Sequence, residues 1–255
     1  PPPPPPFFST PPPPPAISAC LVGSEMCIRD RYNVAGIEIE NSYYADVYNN
    51  LASHNTAGIL VFDLPDLPQQ GGHHIRVFNN KSIDNDTDNF APEGNIVGEV
   101  PRGSGIIVMA NSDVEIFKNT ISGNGTVNLA IVSYGSETED SNYYPHPKRI
   151  QVHNNEYGRS GFEPDLSTGD LAKVLHEVSD GEMADIFWDG VLPLSQMVFG
   201  QPDDERLKID EQNQPNFLAM SPLKYMIGLS NPIKKDIKQY KGEIIPLPAV
   251  SLESL

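Results

Sequence analysis

A strand-sized motif that occurs four times constrains this chain more than any other feature. It reads Ala45-x-Val47-Tyr48-Asn49-Asn50, then Ile75-x-Val77-Phe78-Asn79-Asn80, Val114-x-Ile116-Phe117-Lys118-Asn119 and Ile150-x-Val152-His153-Asn154-Asn155. A second motif, Gly36-Ile37-Glu38-Ile39, returns as Gly58-Ile59-Leu60-Val61 and Gly105-Ile106-Ile107-Val108, with a weaker copy at Leu129-Ala130-Ile131-Val132. Both alternate apolar and other residues with period two, the mark of a short strand with one buried face. The interval from Gly36 to Gly58 is too short for a helical crossover, and no helical pattern separates the motifs. Repetition at this spacing points to stacked turns of chain.

Asparagine narrows the choice. Asn50, Asn80, Asn119 and Asn155 each close the first motif, and Asn55, Asn85 and Asn124 follow three of them. Asn tolerates the left-handed backbone of a tight bend, and amides stacked in register form a hydrogen-bonded ladder. The pattern predicts an all-β fold, a right-handed parallel β-helix whose coils lie about 4.8 Å apart. A β-sandwich would need two-residue Asn-Gly or Asp-Gly hairpins between the strands, and none connects them.

The ends read differently. Eleven of the 25 prolines lie in residues 1–15, and Leu21-Val22-Gly23-Ser24-Glu25-Met26-Cys27-Ile28-Arg29-Asp30 resembles a translated sequencing adapter. Residues 1–30, with both cysteines, are therefore set aside as non-native, and the true N-terminus is expected to be missing. The β-helix is expected over 31–162. Residues 163–255 are expected to form a C-terminal cap: a short helix near 168–179, signalled by Ser167-x-x-Asp170 and the stripe Leu171, Val174, Leu175, Val178, then a Pro-rich segment running along the coils.

Composition excludes some functions. A net charge of −17 repels phosphate backbones, so nucleic acid is not an expected partner. No apolar run approaches the ~18 residues of a membrane span.

Three insertions interrupt the motifs: Asp63 to Gly72, Asp84 to Gly103, and Gly135 to Pro147. The first and third leave at the same corner two coils apart and bring Asp63, Asp66, His73, His74, Glu137, Glu139, Asp140, Tyr143, Tyr144 and His146 to one edge. The candidate substrate-binding set is Asp63, Asp66, His73, Tyr143, Tyr144 and His146, with the tyrosines as sugar-stacking rings. Paired carboxylates suit glycosidic acid–base work, and His or Tyr suits proton abstraction beside a uronate; no catalytic residue is assigned. Such an acidic groove should prefer neutral glycans, or bind uronates through a bridging cation.

Asp84, Asp86 and Asp88 offer alternating carboxylates of the kind calcium takes, without the glycine and distal glutamate of an EF-hand; calcium is the only cofactor the residues point to. His73 and His74, as neighbours in a strand, should face opposite sides. His153 falls where other repeats have Tyr48, Phe78 and Phe117, which assigns it to stacking. The outward positions Asp46, Arg76 and Glu115 alternate in charge, as an exposed ladder would, with Gln151 next. Leu60, Ile107 and Ala130 form an apolar column that a loop or the Pro-rich segment should cover, with Trp188 or Phe187 in contact.

The four Asn-closed repeats, together with Asn89-Phe90-Ala91-Pro92-Glu93-Gly94-Asn95 leading into Gly103-Ser104-Gly105-Ile106 and with Asp185-Ile186-Phe187-Trp188-Asp189-Gly190, resemble the bacterial secreted or lipoprotein-type parallel β-helix repeat proteins. More distantly the fold is similar to that of carbohydrate-binding β-helices, glycoside hydrolases, polysaccharide lyases, uronate epimerases and the periplasmic accessory proteins of nitrous oxide reductase. The resemblance implies an extracytoplasmic protein that binds, and in some relatives modifies, a polysaccharide. Its alternative is a non-catalytic envelope or partner-binding module, accessory to a redox protein.

Overall fold

In the computed structural model, residues 28–92, 94–169, 171–178, 181, 183–228 and 232–250 are described. Most of the adapter-like segment and Asp170 of the expected capping box lie outside them. Arg29 and Asp30, set aside on sequence grounds, form β1 (Arg29–Asp30), which pairs with the main body.

From there strands recur in threes. The cycles are β2 (Ala35–Glu40), β3 (Tyr43–Tyr48) and β4 (Leu51–Ser53); β5 (Ala57–Phe62), β6 (His73–Phe78) and β7 (Lys81–Ile83); β8 (Ser104–Met109), β9 (Ser112–Phe117) and β10 (Thr120–Ser122); and β11 (Val127–Val132), β12 (Lys148–His153) and β13 (Glu156–Tyr157). From β1 to β12, each strand pairs in parallel with the one three places on. The later chain adds α1 (Leu171–Val178), β14 (Ile186–Trp188), α2 (Leu194–Phe199), β15 (Lys208–Asp210), β16 (Phe217–Met220), α3 (Pro222–Met226) and β17 (Ile233–Lys234). Three sheets result. Sheet I runs β17-β16-β14-β11-β8-β5-β2, sheet II β15-β12-β9-β6-β3, and sheet III β1-β4-β7-β10-β13, all parallel except β16–β17. The protein is therefore β-rich with few helices. Parallel pairing does not stop where the Asn repeat stops: β14, β15 and β16 continue sheets I and II well past residue 162.

Inward residues of all three sheets meet in one buried cluster, with Ile59, Ile106 and Leu129 from sheet I, Ile75, Val114 and Ile150 from sheet II, and Ala52 and Ile121 from sheet III. The outer face of sheet I is buried too. Leu60, Ile107, Ala130, Phe187 and Leu218 are in register, and Ile96, Val97 and Val100 of the second insertion pack over this column with Ile233. Phe187 meets the column as its next member, whereas Trp188 belongs to the inner cluster.

The asparagines make two buried ladders. Asn50 Nδ2 donates to Asn80 Oδ1 (2.9 Å), Asn80 to Asn119 (3.0 Å), and Asn119 to Asn155 (2.9 Å), while each donor residue's backbone N–H shares the same oxygen. The carboxylate of Glu211 takes the last place, accepting from Asn155 Nδ2 at 2.8 Å. The left-handed bend, however, falls one residue earlier, at Asn49, Asn79, Lys118 and Asn154, whose φ values are 55–58°. Bend and ladder are separate jobs on adjacent residues. A second ladder links Asn55, Asn85 and Asn124 and ends on Asn128 Oδ1 (2.9 Å). Glycine makes room for it: a Cβ at Gly58 would lie 2.0 Å from Ser82 Oγ and 2.9 Å from Asn85 Nδ2.

Candidate functional site

The first two residues of each long sheet II strand are Tyr43-Tyr44, His73-His74, Ser112-Asp113 and Lys148-Arg149. The first members are in register across β3, β6, β9 and β12. The second members all take left-handed backbone, with φ of 55°, 58°, 51° and 54°. Such a kink breaks the strict alternation of side chains, as a bulge does, and re-aims them. This overturns the expectation for the histidines: His73 Nδ1 and His74 Nδ1 lie 2.7 Å apart, one donating to the other. Tyr43 stacks on His73 at 4.4 Å, and Tyr44 packs against both rings. In the next two strands Arg149 forks onto Asp113 with bonds of 2.6 and 2.7 Å.

Two loops wall this array. In the first insertion Asp63 accepts from Gly71 and Gly72 N–H, both at 2.9 Å, and folds the loop back onto itself. From the third, Tyr143 donates its hydroxyl to Asp63 O (2.6 Å), and Asp140 accepts from Gln70 Nε2 (2.5 Å) and Asp66 N–H (3.2 Å). The two insertions meet, as the sequence reading expects. Between them a groove of about 360 Å³ opens over Gly72, His73, His74, Asp113, Tyr144 and Arg149. No family model, curated protein or solved structure matches the chain. The groove's chemistry must be read from its own residues.

Of the six expected binding residues, His73, Tyr144 and His146 line the groove, and Asp63, Asp66 and Tyr143 do not. Asp63 and Tyr143 are buried and bonded to protein, so they brace the loops rather than meet a ligand. Asp66 engages Asp140 through its backbone at the outer loop contact. Tyr144 is 36% exposed, with Lys148 Nζ 4.7 Å above its ring and His146 at its edge.

The lining is not acidic. Lys148, Arg149 and three histidines face one carboxylate, Asp113, which Arg149 neutralises. Burial, then the neighbouring His74, holds His73 below the ordinary histidine range, and burial does the same to His146. Burial opposes ionisation of Asp113, but the Arg149 fork outweighs it and holds the carboxyl below its usual range. The groove therefore offers the Lys148 side chain, an Arg149–Asp113 ion pair, the His73 and His146 imidazoles that burial keeps neutral at pH 7, and a tyrosine ring. His146 Nδ1 also lies 3.0 Å from Ser133 Oγ, a pairing that sequence order did not reveal.

The calcium ligands do not converge. Asp86 faces His54 (3.0 Å) and Asp88 faces Arg102 (3.5 Å). Among the described residues, no three His, Cys, Asp or Glu side chains are placed to hold a metal ion. No helix there is long and apolar enough to cross a membrane.

Proposed function

We propose that the three sheets are the walls of a right-handed parallel β-helix, and that this is an extracytoplasmic protein binding an anionic, uronate-containing polysaccharide in the groove at the start of sheet II. One observation carries the reading: Tyr144, Lys148, Arg149 and the His73–His74 pair line a single groove set across adjoining strands. Strands spaced about 4.8 Å apart offer polar groups periodically, which suits a linear polymer better than a compact metabolite. Lys148 takes a carboxylate, the outer edge of the Arg149–Asp113 pair offers further hydrogen bonds, and the exposed Tyr144 ring takes the apolar face of a sugar. The stacked rings of Tyr48, Phe78, Phe117 and His153, 4.9–5.2 Å apart, spend their faces on one another and are a poor sugar platform. Extracytoplasmic placement rests on the family resemblance. A catalytic extension is supported by His73, which burial keeps neutral as a base beside a bound uronate must be.

Calorimetry with polyuronate and neutral glycans, each with and without calcium, tests this. Polyuronate should bind without calcium, and Lys148→Ala with Tyr144→Ala should weaken it at least tenfold. Absence of binding to any glycan in either condition refutes the carbohydrate reading. Equal binding by the double variant refutes only the site. Unsaturated chain ends released from polyuronate would establish lyase activity.

A further inference from the structure

The sign-alternating ladder on the outer face of sheet II is not bare. Residues 242–250 cross all five strands of that sheet, from β15 to β3. Gly242 lies against Lys208, and Ile245 N–H and C=O both bond the Gln151 amide (2.6 and 2.7 Å). Leu247 N–H donates to Glu115 Oε2 (2.9 Å), and its C=O accepts from Arg76 (3.4 Å); Val250 N–H reaches Asp46 (3.4 Å). The strap therefore runs at right angles to the strands, read one side chain per strand. Its pitch fits: five residues of polyproline-like chain span about 15 Å, and three strand intervals span about 14 Å.

Three features separate this contact from ordinary packing. Every bond is made to the strap's backbone, so the readout is of chain conformation rather than of strap side chains, and Ile245 itself is 61% exposed. The readers alternate acceptor and donor as a backbone alternates N–H and C=O, while Pro246 and Pro248 fall where no N–H is used. The readers are also held ready by neighbours: Arg76 forks onto Asp46 (2.8 and 2.6 Å), and Glu115 is fixed by His153 Nε2 (2.9 Å). Preorganised groups of this kind bind without ordering themselves first.

We propose that the outer face of sheet II is a binding surface for extended, proline-interrupted peptides of a partner protein, and that residues 243–250 are its resident, exchangeable occupant. A partner segment with free N–H groups at the spacing of Ile245, Leu247 and Val250 takes the same bonds and displaces the strap. This surface is distinct from the groove at the strand starts, and its test does not depend on any glycan.

The probe is a fluorescein-labelled peptide with the sequence of residues 243–250, followed by polarisation. In the full chain, Ile245→Pro with Leu247→Pro removes two of the strap's donors and frees the face. This released variant should bind the peptide at least tenfold more tightly than the unaltered chain, because the resident strap competes. Adding Gln151→Ala should abolish binding, as should N-methylation of the peptide at the Ile245 and Leu247 positions. A released variant that keeps its strand circular dichroism and fails to bind overturns the proposal, as does equal binding by the Gln151→Ala form. Should the released variant lose its fold, the unaltered chain decides. Excess peptide must then speed hydrogen exchange at Ile245 and Leu247, and unchanged exchange overturns the proposal.

Discussion

Replacing Asn119 with alanine tests whether the amide ladder, rather than asparagine's tolerance of bends, holds the repeats together. Asn119 is fully buried and sits in mid-ladder. Its Oδ1 accepts from Asn80 N–H and Asn80 Nδ2, both at 3.0 Å, and its Nδ2 donates to Asn155 Oδ1 and Val77 O, both at 2.9 Å. Alanine removes all four bonds and leaves the Asn80 N–H buried without a partner. At about 1 kcal/mol net per bond, with more for the orphaned donor, the loss is about 4 kcal/mol. For a chain of this size that lowers the melting temperature by about 10 °C. Asn79 is the control: it is exposed and carries the left-handed bend with φ of 55°. Asn79→Ala should cost only about 1 kcal/mol, the backbone penalty of an alanine in that region. Urea unfolding followed by circular dichroism measures both. If Asn119→Ala costs no more than Asn79→Ala, the ladder is not what stabilises the stack.

Two further outcomes follow from particular residues. Lys118 occupies the left-handed bend that Asn fills in the other three repeats; Lys118→Asn should raise stability by about 0.5–1 kcal/mol in the same urea assay. Burial pushes the Asp189 carboxyl from its ordinary 3.8 up to about 7, against the N–H bonds from Ser133 and Val191 that favour its charge. The folded state then holds this proton where the unfolded chain has lost it, so stability falls as pH rises from about 4 to about 7 and levels off above. At about 1.4 kcal/mol per unit the fall comes to roughly 4 kcal/mol, and Asp189→Asn should flatten it in melting curves taken across that range.

The strands were legible because a half-buried strand writes its period directly into residue order, and stacking writes it again in every cycle. The role of His153 was legible for the same reason: it fills the ring position and stacks 5.2 Å from Phe117. The candidate groove was half legible. Loop composition brought out His73, Tyr144 and His146, but nothing in composition says that Asp63 would be consumed by Gly71 and Gly72. Tyr44, His74 and Arg149 are not residues that announce a left-handed kink, so their re-aimed side chains, and the cations at Lys148 and Arg149, went unread. The partner of the Asp46–Arg76–Glu115–Gln151 ladder was invisible because it lies about a hundred or more residues away along the chain. Charge alternation alone could not distinguish water from a strap.

Glu211 gives the first amide ladder a direction and an end. Every asparagine in the column turns its oxygen towards the earlier repeat and its NH₂ towards the later one, so the amide dipoles add, with their positive end at β15. That strand is the edge of sheet II, the place where a repetitive protein is most exposed to templating the addition of another molecule. A carboxylate there answers the summed dipole with opposite charge and has no N–H to hand on. A further asparagine arriving in register would bring its oxygen against an oxygen. The same column that lets one repeat recruit the next within the chain thus refuses a repeat from outside it, and growth stops at a single side chain.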